Sequence, residues 1–215
     1  MIYGEHLISF WRTRMKINIE DRYFQEQEIS DDRSIYIGLC NIIEKLNITR
    51  GSVFDAGCRN GKFLSEFIKN NPSSIIGGCD YFQWAIDACC DSIKPFVYRF
   101  DLRDSFEDNT KYDLVICTEV AEHIDPNYCS VFLSNLREKC NGKLIITWSS
   151  HGGEQDRGND PNLQHLNPKT KEEYHAVMKQ CGFVFEEELS NRLLIEAYKD
   201  RRIPWYMLES IGVFS

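Results

Sequence analysis

The chain has 215 residues, 42% of them hydrophobic and 27% charged, enough apolar content for one sizeable core and too much for a disordered chain. Its 25 basic and 33 acidic residues leave a net charge of −8, which repels a phosphate backbone unless a local basic patch overrides it. The cluster Arg12, Arg14 and Lys16 is too small for that and reads as a solvated helix face.

From the N-terminus, residues 1–11 place Glu5 and His6 among apolar side chains and form neither a signal sequence nor a membrane span, so a cytoplasmic chain with no membrane partner is expected. The nine cysteines include the adjacent pair Cys89-Cys90 but no C-x-x-C pair, and their number is odd, which predicts reduced thiols. Residues 34–46 carry Ile35, Leu39, Ile42, Ile43 and Leu46 at helical spacing, closing a predicted N-terminal helical cap over 1–50. Gly51 breaks the pattern before a short strand, Ser52-Val53-Phe54.

Further strands are predicted at 74–77, 96–100, 112–117 and 143–148, with helices between them. Phe63, Leu64, Phe67 and Ile68 mark one helix and residues 84–90 another. Asp125-Pro126 reads as an N-cap followed by proline at the first position of a third, running to about Lys139. The polar, Gly-, Asn-, Asp- and Pro-bearing stretch 149–167 is too long for an ordinary connection and is expected to cover an active site. Residues 169–181 form a predicted helix ended by Gly182, and 183–185 with 211–214 a closing antiparallel pair. This succession predicts an α/β fold with a mostly parallel sheet and helices on both faces.

The turn Asp55-Ala56-Gly57-Cys58-Arg59-Asn60-Gly61 lies directly after the first strand and before a helix, where open α/β folds bind ligands. Alone, such a turn is as readily structural. Asp80, Asp101 and Glu119 then follow the second, third and fourth strands. From Val53 to Ile124 this pattern resembles that of class I, Rossmann-like S-adenosylmethionine-dependent methyltransferases. The resemblance implies that S-adenosylmethionine is the cofactor, held by Asp55, Gly57, Gly61, Asp80, Asp101, Leu102 and Glu119. Asp80 would accept both ribose hydroxyls, and Asp101 and Leu102 would frame the adenine. Arg59 departs from the family's usual glycine. The organisation it implies is one domain, with a cap at 1–50, a cofactor-binding core at 51–150, and a substrate loop with closing strands at 151–215.

Thr118-Glu119-Val120-Ala121-Glu122-His123 would bring Glu119, Glu122 and His123 together if it formed one helical turn. Two carboxylates beside an imidazole suit a divalent metal, magnesium, manganese, iron or zinc, with His165 the preferred fourth ligand and His151 the alternative. The bland reading is that Glu119 touches the cofactor, Glu122 caps a turn and His123 is packed. This E-x-x-E-H segment with a downstream histidine is similar to that of small-RNA 2′-O-methyltransferases, where it holds a metal against a terminal ribose diol.

His151 or His165 is the expected catalytic base for an oxygen acceptor. No Asn-Pro-Pro-Tyr-type segment follows the fourth strand, which disfavours methylation of base amino groups. Trp148, Trp205 and Tyr206 suggest a stacking wall or merely core, and Arg157 with Asp156 and Asp160 a hydroxyl-binding or solvated group. The acidic charge and polar loop, with a likeness to sugar O-methyltransferases, favour a sugar, glycan or other small hydroxylated substrate. A 3′-terminal ribose of RNA is second, a phenolic or quinone-like acceptor third, and a catalytically inactive binding subunit the alternative of another class.

Overall fold

A computed structural model of the protein describes residues 34–49, 51–150 and 165–215. The elements, in chain order, are α1 (Ser34–Lys45), β1 (Ser52–Ala56), α2 (Lys62–Asn70), β2 (Ile75–Asp80), α3 (Gln83–Asp87), β3 (Val97–Arg99), β4 (Tyr112–Cys117), α4 (Cys129–Lys139), β5 (Cys140–Ile146), α5 (Lys171–Gln180), α6 (Glu187–Lys199), α7 (Trp205–Ser210) and β6 (Gly212–Phe214). They form a six-stranded sheet of order β3-β2-β1-β4-β5-β6. All pairs are parallel except β5 with β6.

Strand alternation decides which helix covers which face, because successive side chains point to opposite sides. Val53, Leu114, Ile116, Ile145 and Val213 join one core with Leu39, Ile42 and Ile43 of α1, Phe63, Leu64 and Phe67 of α2, Leu193 of α6 and Met207 of α7. Their neighbours Phe54, Val115, Leu144, Ile146 and Phe214 join the other, with Phe132, Leu133 and Leu136 of α4 and Tyr174 and Met178 of α5. Both faces are buried, so the strands read as continuous apolar runs.

The expected fold class is the observed one, with boundary differences. Asp125 caps a 3₁₀ turn, its carboxylate accepting from the Asn127 N–H at 2.8 Å, and that turn leads straight into α4. Thr170 and Glu173 close a capping box at the start of α5, and Gly182 follows its end at φ +82°. The expected strand at 183–185 contributes a bridge between Phe185 and Phe214. The antiparallel ladder itself joins β6 to β5. Helices α6 and α7 were not expected.

All nine cysteines are free thiols. Among the described residues no helix is long and apolar enough to cross a membrane. Most of the expected N-terminal cap, the Arg12, Arg14, Lys16 cluster, His151 and the Arg157, Asp156, Asp160 group lie outside the described residues.

Candidate functional site

Between β1 and β4 the winding of the sheet reverses, and the carboxyl ends of β1, β2, β3 and β4 face one crevice. The turn after β1 enters it through Gly57 at φ +87° and leaves through Gly61 at φ +69°, a left-handed region that glycine adopts without steric cost. Two donors of this turn, the N–H groups of Gly57 and Cys58, bond to the Cys79 carbonyl at 2.8 and 2.9 Å and tie it to β2. Arg59, where the family usually has glycine, also takes a positive φ of 48°. Its N–H donates to Asp80 Oδ2 at 2.8 Å, which holds the left-handed turn without glycine.

Asp80, the last residue of β2, is buried and also accepts from the Phe82 N–H at 2.9 Å. Its carboxylate is thus held by two backbone donors, one on each oxygen. Asp55 lies beside it in β1, and its carboxyl is pushed up to about 8 by burial and by the Asp80 charge. Asp101 lies past the end of β3, where Arg103 grips it through Nε at 2.8 Å and Nη2 at 2.6 Å. Burial works to raise the Asp101 carboxyl, but the hydrogen bonds and charge of Arg103 outweigh it and hold the group below the usual carboxylate range. Leu102 is buried in the second core, its carbonyl accepting from Asn135 Nδ2 at 2.8 Å.

After β4 the backbone does not form the expected helical turn. Glu119 stands at φ +57°, and only Ala121–His123 coil, as a 3₁₀ turn. Thr147, beyond the end of β5, stabilises this conformation from both sides: its Oγ accepts from the Glu119 N–H at 2.7 Å and donates to Glu119 Oε1 at 2.9 Å. Val120 is thereby turned onto the glycine turn, its Cγ2 standing 2.3 Å from where a Cβ on Gly57 would be.

Glu122, His123 and His165 gather at this end of the sheet, one ligand atom from each lying within 4.8 Å of the others. Glu122 is fully buried, and the two imidazoles meet edge to face at 4.9 Å. Burial and the Glu122 charge together raise the neighbouring Cys117 thiol well above its ordinary value. His165 is brought there by the bonds that hold the residues just after it. The Asn167 N–H donates to the Glu122 carbonyl at 2.9 Å, Trp148 Nε1 to the Asn167 carbonyl at 2.6 Å, and the Lys169 N–H to the Ser149 carbonyl at 3.0 Å.

The donor set, one carboxylate and two imidazoles, suits a divalent transition metal or zinc. Ligand atoms about 2.1 Å from a common ion stand at most about 4.2 Å apart, so small side-chain adjustments bring these three to fit. Glu119, expected in the same ligand set, is not part of this cluster: its left-handed backbone and the Thr147 hydroxyl direct its carboxylate elsewhere. The aromatic wall does not form either. Trp148 is buried, stacked on Tyr174 in the second core, whereas Trp205 and Tyr206 are exposed on α7, which packs on the other face. Thr147, Arg103 and Val120 escaped the sequence reading. An Asp-x-Arg pair such as Asp101 to Arg103 was the one readable signal among them.

A methyltransferase-domain family model matches residues 32–188. No curated protein matches the chain. Among solved structures it is similar to a TehB-like SAM-dependent methyltransferase from Corynebacterium glutamicum, at TM-score 0.57 and 17% identity over 94% of this chain and 98% of that one. It is also similar to the plantazolicin methyltransferase in complex with SAH, at TM-score 0.65 and 12% identity over 91% and 89%. A magnesium protoporphyrin IX methyltransferase from Synechocystis with bound SAM gives 0.50 and 17% over 68% and 66%.

Proposed function

The chain belongs to the methyltransferase-domain family, and from that premise we propose that it moves the methyl group of S-adenosylmethionine to a hydroxyl of a sugar or glycan in the cytoplasm. The cofactor reading is supported by the order of groups around the crevice: the Gly57 turn at β1, Asp80 at β2, and Asp101 with Leu102 after β3. Gly57 and Gly61 lie toward its methionine end, Asp80 accepts from its ribose hydroxyls, and Asp101 faces the adenine.

The observation that carries the acceptor reading is the gathering of His165 with Glu122 and His123, which stand two and three residues beyond Val120, the residue that rests on the Gly57 turn. Transfer is an in-line displacement: the acceptor oxygen forms a bond to the methyl carbon as the bond from that carbon to sulfur breaks, and the hydroxyl proton must leave. An ion held by Glu122, His123 and His165 would supply a lowered hydroxyl pKa and two neighbouring positions for a vicinal diol. The chain's own residues align the acceptor and take its proton, His165 where it is not a ligand and His151 otherwise.

The test is methyl transfer to glycosides that carry adjacent hydroxyls, against deoxy analogues lacking one of them. The diol is expected to react faster by about a hundredfold or more, the alignment of a second oxygen being worth several kcal/mol. Equal rates would remove the chelation reading. The same cluster favours a second reading, the 3′-terminal ribose of RNA, because a ribose end presents the same diol. A short RNA belongs beside the glycosides, and its methylation with every glycoside ignored would decide for RNA.

A further inference from the structure

Arg103 does more than pair with Asp101. A carboxylate offers about four lone-pair directions. Arg103 fills two of them on Oδ1, with its backbone N–H at 3.0 Å and Nε at 2.8 Å, and one on Oδ2, with Nη2 at 2.6 Å; Nε also lies 3.1 Å from Oδ2. One direction, on Oδ2, is left for a ligand donor. The same guanidinium is within cation–π range of two partly exposed rings, 5.5 Å from the centroid of Tyr81 and 5.7 Å from that of Tyr128. Tyr81 directly follows β2 and Tyr128 directly precedes α4, so one planar cation links the second and third strand ends to the segment after β4.

We propose that Arg103 is a specificity-determining positioning residue for the cofactor's base, acting through Asp101: it leaves that carboxylate one acceptor direction, which suits an exocyclic amino group and rejects a carbonyl oxygen. This rests on the reading that S-adenosylmethionine occupies the crevice with its adenine at Asp101. A base with an oxygen in place of the amino group brings acceptor against acceptor, and the gripped carboxylate cannot turn away to relieve it. Freed from the fork, it can turn.

The structure also contains a control. Arg202 grips Asp200 through Nε, Nη2 and its own N–H in the same manner, but between α6 and α7, against Gly38 of α1. A fork there stabilises the chain locally without facing the crevice.

The experiment is calorimetric binding of S-adenosylhomocysteine and of its hypoxanthine analogue to the wild-type chain, R103Q, R103K and R202Q, each checked for folding by thermal melting. The wild type is expected to prefer adenine by about tenfold or more. R103Q is expected to bind the adenine compound about tenfold more weakly, with the preference reduced to within about twofold. R103K keeps the charge without the planar fork and should lose preference in smaller measure, which serves if R103Q does not fold. R202Q should match the wild type. A wild-type preference in R103Q or R103K overturns the proposal, as does an equal loss in R202Q. Absence of binding by the wild-type chain overturns the cofactor reading itself and this inference with it.

Discussion

The Cγ2 atom of Val120 occupies the space that a side chain on Gly57 would need, 2.3 Å from the position of its Cβ. The turn after β1 and the turn after β4 are therefore packed against each other with no room between them. Gly57→Ala meets both that contact and an unfavourable φ of +87°. It is expected to lower stability by about 1–3 kcal/mol, from overpacking and left-handed strain. Adding Val120→Ala should recover the steric part alone. Denaturant unfolding of the two single variants and the double variant measures this; full recovery in the double would show that φ contributes nothing.

Asp80→Ala is expected to weaken S-adenosylmethionine binding by about 1.5–3 kcal/mol, the range for a hydrogen bond to a charged group. The same substitution removes the acceptor for the Arg59 and Phe82 N–H groups, so its melting temperature should fall as well. Asp80→Asn, which keeps one acceptor oxygen, should bind better than the alanine variant. Calorimetry reads all three, and an affinity unchanged by alanine would detach the second strand from the cofactor.

If Glu122, His123 and His165 hold one divalent ion, the wild-type chain should take up about one Mn²⁺, and His123→Ala and His165→Ala should each lose about tenfold or more in affinity. Chelator should abolish methyl transfer, and the excess ion should restore it. Full activity in chelator, with no ion uptake, would leave the cluster as packed side chains around a buried carboxylate.

Asp55 sets a pH dependence whose sign is opposite to that of a paired carboxylate. Its folded-state value of about 8 lies above the ordinary 3.8, so between these limits the folded chain holds a proton that the unfolded chain has released. Stability from this group is full below the unfolded value, falls by about 1.4 kcal/mol per pH unit as pH rises, and is lost above about pH 8. In Asp55→Asn this dependence should vanish. The unfolding free energy of the wild type minus that of Asp55→Asn should fall from about pH 4 to pH 8 and then level off; a flat difference across that window would mean the group titrates normally.

Most of the strands were legible because they carry apolar residues on both faces, as Val53 and Phe54 do for the two cores. Asp80 and the Gly57 turn were legible because strand ends are where ligands bind, whatever the residues between. Helix α6 was readable in the spacing of Leu189, Leu193 and Ala197, but the apolar triplet before it drew the reading toward a strand. The turn at Glu119 was not readable at all. Its left-handed backbone depends on Thr147, which stands 28 residues away and acts only once β4 and β5 have paired. Periodicity sees local spacing and misses such a partner. The sequence reading joined Glu119, Glu122 and His123 through one helical turn and added His165 as a fourth; the structure gathers Glu122, His123 and His165 without Glu119, through a 3₁₀ turn and the return of the chain at Asn167.

Among the described residues, that return is held by Trp148 and Ser149 on one side, Asn167 and Lys169 on the other, with Glu122 as the anchor between. None of these hydrogen bonds depends on the identity of residues 151–164. Glu122 has two duties: its carbonyl fastens Asn167 and its carboxylate stands with His123 and His165, so loosening that one backbone bond would part the imidazole pair as well.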